Sequence, residues 1–225
     1  MRVILFGATG MIGQGVLRAC LSDDSVDAVL AIGRTASGAT HGKLRDLVVA
    51  DLFDYAPVAA ELRGYDACLF CLGVSSGGMS EADYTRITHD LTLAAARALL
   101  AANPELTFLY ISGAGTDATE RGRSMWARVK GRTENALLAL GFRRAFMLRP
   151  GFIRPLGGIK SKTRSYRILY AVVGPLAPLL RLFLGKHMTD TDRLGRAMIA
   201  VARDGFARPI LETTDINAVA DAQKA

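Results

Sequence analysis

The chain has 225 residues, half of them hydrophobic, three cysteines and a formal charge of +7 at pH 7. That length suits one domain, with or without a small appended lobe, and the apolar fraction is ample for a packed core, which excludes a disordered chain. The positive charge admits a cofactor phosphate or an anionic membrane as partner, but the basic residues are scattered and not interleaved with aromatics, so nucleic acid is set aside.

The N-terminus, "MRVILFGATG", has one basic residue and a short apolar run leading into glycines. It lacks the long apolar region and small-residue cleavage site of a signal peptide and reads as a buried strand, so a cytoplasmic protein is expected. Helical spacing follows in "MIGQGVLRACLS". "VDAVLAIGR" and "LRDLVVADL" read as strands, "YAPVAAELRG" as a short helix and "DACLFCLG" as a further strand. A long helix is predicted from about Ser80 to Ala102. "LTFLYISGAG" is then a strand, "WARVKGRTENALLALG" a helix and "RRAFMLRPGFI" another strand. Alternating strands and helices, with strands apolar throughout, imply right-handed crossovers and a parallel sheet buried on both faces. The expected fold is a Rossmann-type doubly wound α/β sheet with a small C-terminal helical lobe: a core at residues 1–151 and a substrate-side lobe at 152–225 that completes the same domain.

Beyond Phe152 the rhythm changes. Lys160, Lys162, Arg164 and Arg167 precede an apolar stretch from Ile168 to Leu180 that Pro175 and Pro178 interrupt. It is too short and broken to span a bilayer; a substrate-side helix, or weak membrane-surface contact through 160–184, are the alternatives. "TDTDRLGRAMIAVARDG" is an amphipathic helix with Thr189 or Asp190 as cap, and "RPILE" adds a strand.

The cysteines read as structural. Cys20 sits on an apolar helix face, and Cys68 and Cys71 form a CxxC within a strand, where residues three apart point to opposite sheet faces, so no metal is expected.

"GATGMIG" places Gly7, Gly10 and Gly13 between a strand and a helix, with Thr9, Met11 and Ile12 among them. Gly7 allows the tight turn, Gly10 lets main chain approach a pyrophosphate and Gly13 lets helix pack on strand. The helix N-terminus adds N–H groups and a positive dipole. About twenty residues beyond the glycines, a binding site for NAD usually carries an acid. Here "AIGRT" supplies Arg34, which suits a 2′-phosphate, with Thr35, Ser37 and Lys43 available to assist. NADP(H) is expected, with NAD(H) second.

Taken in order, "GATGMIG", "ADLFD", "CLG", "YISGAG" and "WARVKGRTE" resemble an atypical short-chain dehydrogenase/reductase, closest in pattern to small NAD(P)H-binding, Tat-interacting-protein-like members. The resemblance implies that Asp51 and Leu52 border the adenine, and that Cys71, Leu72 and Gly73 run along the cofactor. It implies that Ser112 orients a substrate carbonyl, Lys130 binds the nicotinamide ribose, and Pro150 and Gly151 lie beside the nicotinamide. One residue departs from the pattern: Trp126 stands where the family has its catalytic tyrosine. An indole N–H donates a hydrogen bond but does not titrate, so Trp126 cannot carry the proton. Tyr84 is the preferred replacement; Tyr110, His89, Tyr166 and Lys130 are weaker ones, Tyr110 being expected in the core and Lys130 to keep its charge beside a phosphate-bearing cofactor. Two readings stay open. One is an NADP(H)-dependent oxidoreductase or epimerase with a non-standard site and an unidentified small-molecule substrate. The other is a catalytically inactive NADP(H)-binding regulatory or redox-sensing protein acting through a protein partner.

Overall fold

The computed structural model describes residues 1–158 and 188–223. Six central strands follow in chain order with helical segments between them, except that the second leads directly to the third. β1 (Arg2–Phe6) leads to α1 (Met11–Ser22), β2 (Ala28–Gly33) and β3 (Leu44–Val48). A 3₁₀ turn (Ala56–Leu62) leads to β4 (Ala67–Phe70), then α2 (Glu81–Thr85), a π turn (Arg86–Asp90) and α3 (Leu91–Ala102). β5 (Thr107–Ile111), α4 (Met125–Ala139) and β6 (Arg144–Arg149) complete the alternation. β7 (Phe152–Arg154), β8 (Met188–Asp190), α5 (Thr191–Asp204), β9 (Ile210–Glu212) and α6 (Thr213–Ala222) follow.

The main sheet is parallel throughout, with order β3-β2-β1-β4-β5-β6-β9. The order reverses at β1, where a doubly wound sheet opens its ligand crevice at the strands' C-terminal ends. Burial on both faces is written into β1 itself. Val3 and Leu5 enter one core with Val16 and Leu17 of α1 and Leu194 and Met198 of α5; Ile4 and Phe6 enter the other with Leu99 of α3 and Leu137 of α4. Successive side chains of a strand point to opposite faces, so a strand covered on both sides must be apolar at every position. Cys68 and Cys71 obey the same rule: Cys68 lies in the second core and Cys71 packs against the first. Burial raises the pKa of both thiols, and the two cannot converge on one ligand.

The described C-terminal elements pack onto the same sheet. α5 lies in the first core beside α1, and β9 is the seventh strand of the sheet. Asp190 caps α5, its carboxylate accepting from the N–H groups of Asp192 and Arg193 at 3.1 and 2.8 Å, whereas Thr189 belongs to β8. The predicted long helix starts one residue after Ser80, whose Oγ accepts from Asp83 N at 3.1 Å, and its course is interrupted by the π turn. The basic run Lys160 to Arg167, Tyr166 and the apolar stretch Ile168 to Leu180, with the expected membrane contact of 160–184, lie outside the described residues. No helix among the described residues is long and apolar enough to cross a membrane.

Candidate active site

Each strand of the central six delivers one part of the site at its C-terminal end. After β1, the turn at Gly7 has a φ of +80°, a conformation that favours glycine. A Cβ there would also meet Leu72 N at 2.7 Å and the Cys71 carbonyl at 2.8 Å, so the main chain after β4 lies directly against the turn. A Cβ at Gly13 would overlap Gly7 O, which is why α1 can begin so close to β1. Gly10 is the N-cap of α1; no side chain caps the helix, and its first turn holds no acid. Gln14 turns back to donate to Thr9 O at 3.0 Å, which fixes the loop. Such an uncapped helix end is an anion site, and the donor set fits the pyrophosphate of a dinucleotide.

Arg34 follows β2, is exposed, and has no ion pair among the described residues. Asp51 follows β3, its carboxylate accepting from Phe53 N at 2.9 Å, while the Leu52 side chain is buried in the second core. Two expected helpers of Arg34 are occupied elsewhere. Ser37 donates from Oγ and N to Asp46 of β3, both at 2.9 Å. Lys43 donates to Asp23 O at 2.8 Å, at the C-cap of α1; the helix is 12 residues, about 18 Å, long, so Lys43 belongs to the far end of the sheet from the cradle.

After β5 comes Ser112, buried, its N–H donating to Leu148 O of β6 at 2.8 Å. Its Oγ lies 2.9 Å from Thr116 Oγ1, a neighbour the sequence reading missed although it stands four residues on in "SGAGT". Ala114 N donates to Pro150 O at 2.9 Å and Gly151 N to Thr213 Oγ1 at 2.8 Å, so the Pro150–Gly151 turn after β6 is fastened beside the Ser112 loop. Across that loop sits α4. Trp126 is half-buried, and Cβ atoms at Gly113 and Gly115 would meet its six-membered ring at 3.8 and 3.7 Å; the indole therefore lies on the loop that follows Ser112.

Lys130, one turn on, aims at the end of β5. Its Nζ donates to Ile111 O and Ser112 O, both at 3.2 Å, and lies 5.2 Å from the centre of the Tyr110 ring. Burial of the ammonium pulls its pKa down to about 8, partly opposed by the Glu134 carboxylate one turn further along α4. Burial, absent from any count of nearby charges, is the larger influence on Lys130. Glu134 is wholly buried and held by Arg149 of β6 through two bonds, 3.0 and 2.5 Å, with Glu212 of β9 3.4 Å from Arg149. The pairing raises the Arg149 pKa, chiefly through its bonds to Glu134. This support behind Lys130 also escaped the sequence reading, although the four-residue spacing of Lys130 and Glu134 on one helix could have raised it. Tyr110 is core, as expected, and desolvation pushes its pKa up. Tyr84 is buried close enough to Tyr110 to influence it, and His89 pairs with Asp90 at 2.8 Å.

Comparison with known proteins places these observations. A family model described as NAD(P)H-binding matches residues 7–143. A mitochondrial fmp52 protein of Emericella nidulans is 32% identical over 205 residues, covering 88% of this chain and 85% of the relative. The mitochondrial protein fmp52-2 of Aspergillus terreus is 30% identical over 203 residues, with 88% and 85% covered. A short-chain dehydrogenase/reductase of Saccharomyces cerevisiae shares the fold, with a TM-score of 0.65 at 13% identity and 98% of each chain covered. The expectation of a cytoplasmic protein is corrected by these relatives, which are named mitochondrial; the absence of an N-terminal signal-peptide pattern speaks only to secretion. The family model covers more than half of the chain, and the chain therefore belongs to the NAD(P)H-binding family.

Proposed function

We propose that this protein is an NADP(H)-dependent oxidoreductase or epimerase-like enzyme whose site works without the usual tyrosine. One observation carries the reading: α1 begins on glycine with no side-chain cap and no acid in its first turn, while Arg34, at the end of the neighbouring strand, is exposed and has no ion pair among the described residues. An anion at the helix end and a second phosphate at the guanidinium would satisfy both. Gly7 to Gly13 would hold the pyrophosphate, Arg34 the 2′-phosphate, and Asp51, Cys71 to Gly73, Pro150 and Gly151 the rest of the nucleotide. The cofactor, when bound, supplies the hydride.

The chain's own residues then bind and orient. Lys130 has one N–H left after its bonds to Ile111 O and Ser112 O, which it can offer to a ribose hydroxyl or to substrate. Trp126 covers the Ser112 loop and offers a donor and an aromatic face, but no titrating proton. With a pKa near 8, Lys130 is the group of this cluster able to exchange a proton close to neutral pH.

The test is fluorescence titration with NADPH and then NADH, using Trp126, the only tryptophan. Saturable quenching that is tighter for NADPH supports the reading; quenching by neither cofactor refutes it.

Trp126 at the tyrosine position favours a second reading, a binding protein that takes NADP(H) as ligand and signals to a protein partner. Trp126→Tyr separates the two. Carbonyl reductase activity that appears only in the variant supports the binding protein, and loss of an existing activity supports the enzyme.

A further inference from the structure

Residues 71–80 and 112–124 follow β4 and β5 at the C-terminal edge of the sheet, on either side of where the nicotinamide half of the cofactor would lie in the function proposed above. Arg128 of α4 joins the two loops. Its Nη1 donates to Gly122 O at 2.7 Å and to Arg123 O at 3.0 Å, at the end of the second loop. Its Nη2 donates to Glu81 Oε2 at 2.6 Å, at the start of α2, where the first loop ends. A guanidinium can hold acceptors from two loops at once because its donors form a rigid fork, which an ammonium lacks. The far ends of both loops reach the site: the main chain at Cys71 and Leu72 lies against the Gly7 turn, and Gly113 and Gly115 lie under the Trp126 indole. Asp117 stiffens the second loop in between. Its carboxylate accepts from Thr119 N at 3.0 Å, Thr119 Oγ1 at 2.6 Å and Gly122 N at 2.6 Å, and its own N–H donates to Ala127 O at 3.1 Å.

We infer that Arg128 is a positioning residue: through Glu81 it holds the loop after β4 to the Trp126 loop after β5, so that the nicotinamide half of the cofactor meets a crevice whose two walls are fixed in advance. Walls ordered before binding need not be ordered by the ligand, which is a gain in affinity. Both side chains of the pair are partly exposed, and such a pair adds little to stability by itself, so its weight lies in the segments it joins. The inference rests on the NADP(H) reading of the site.

Calorimetry with NADPH and with adenosine 2′,5′-bisphosphate, which has no nicotinamide half, separates this role from general damage. Glu81→Leu cuts the link to α2 and leaves Arg128 on its two carbonyls. It should weaken NADPH about tenfold, leave the bisphosphate unchanged and barely move the thermal midpoint. Arg128→Leu should lose at least as much NADPH affinity, again with the bisphosphate unchanged. Glu81→Gln keeps an acceptor for Nη2 and should recover most of the loss, a rescue that a merely structural pair would not give. Glu81 is at the surface, so the test stands even where Arg128→Leu does not fold. Unchanged NADPH affinity in Glu81→Leu, equal losses for both ligands, or a Glu81→Gln as weak as Glu81→Leu overturns the positioning role and leaves the proposed function standing. Wild-type protein that binds neither ligand overturns the proposed function, and this inference with it.

Discussion

The ion pair behind the site gives the sharpest stability prediction. Glu134 has 1% of its side chain exposed and Arg149 has 12%, and the two share bonds of 3.0 and 2.5 Å. Glu134→Gln keeps the shape, but turns an amide N–H₂ towards a guanidinium that has only donors to offer. It leaves Arg149 with Glu212, 3.4 Å away and half-exposed. Removing one partner of a buried pair costs about 3–5 kcal/mol, and the surviving acceptor of glutamine puts this variant near the lower end, about 3 kcal/mol. Glu212→Gln, at the exposed end of the network, should cost under about 1 kcal/mol. Urea unfolding at pH 7 followed by Trp126 emission measures both. With a slope of about 2 kcal/mol/M, Glu134→Gln should lower the midpoint by about 1.5 M. A double variant, Glu134→Met with Arg149→Met, should be less damaged than Glu134→Gln, because no charge is left stranded. A Glu134→Gln midpoint no lower than that of Glu212→Gln would refute the view that burial gives the pair its weight.

Three further outcomes follow from the same geometry. If NADP(H) binds as proposed, Arg34→Ala should weaken NADPH binding by about tenfold or more and leave NADH unchanged, read by Trp126 quenching, because the guanidinium would then meet only the 2′-phosphate. Gly13→Ala should lose about 1–3 kcal/mol of stability in thermal unfolding, since the added Cβ overlaps Gly7 O and neither is the end of a flexible side chain. Lys130 has a pKa near 8 in the folded protein and an ordinary value near 10.5 when unfolded. Between those values the unfolded chain holds a proton that the folded one does not, so raising the pH through this window favours folding. Lys130 should contribute a rise of about 3 kcal/mol from pH 8 to pH 10.5 and nothing below pH 8, where both states are charged. The unfolding free energy of wild type should therefore rise relative to that of Lys130→Met by about 3 kcal/mol across that range; parallel curves would count against the buried ammonium.

Much of this architecture is decided within short stretches of chain. The strands of the central sheet are apolar at successive positions because they are covered on both faces, and glycines between a strand and a helix admit one tight turn, so the sheet and the glycine turn were legible from residue order alone. Trp126 and Lys130 share a helix face because 3.6 residues make a turn, and that too is local. What stayed hidden depends on which distant segments meet. Nothing local to Lys43 says that it faces the C-cap of α1, nor to Ser37 that Asp46 of the next strand takes its hydroxyl proton. The depressed pKa of Lys130 is a matter of desolvation by packed neighbours, and the bond from Glu134 to Arg149 joins α4 to β6. The pairing of the Ser112 and Thr116 hydroxyls follows from how the loop after β5 folds Thr116 back over Ser112. Periodicity and turn chemistry act between neighbours in sequence, whereas proton positions and charge states are set by tertiary contact.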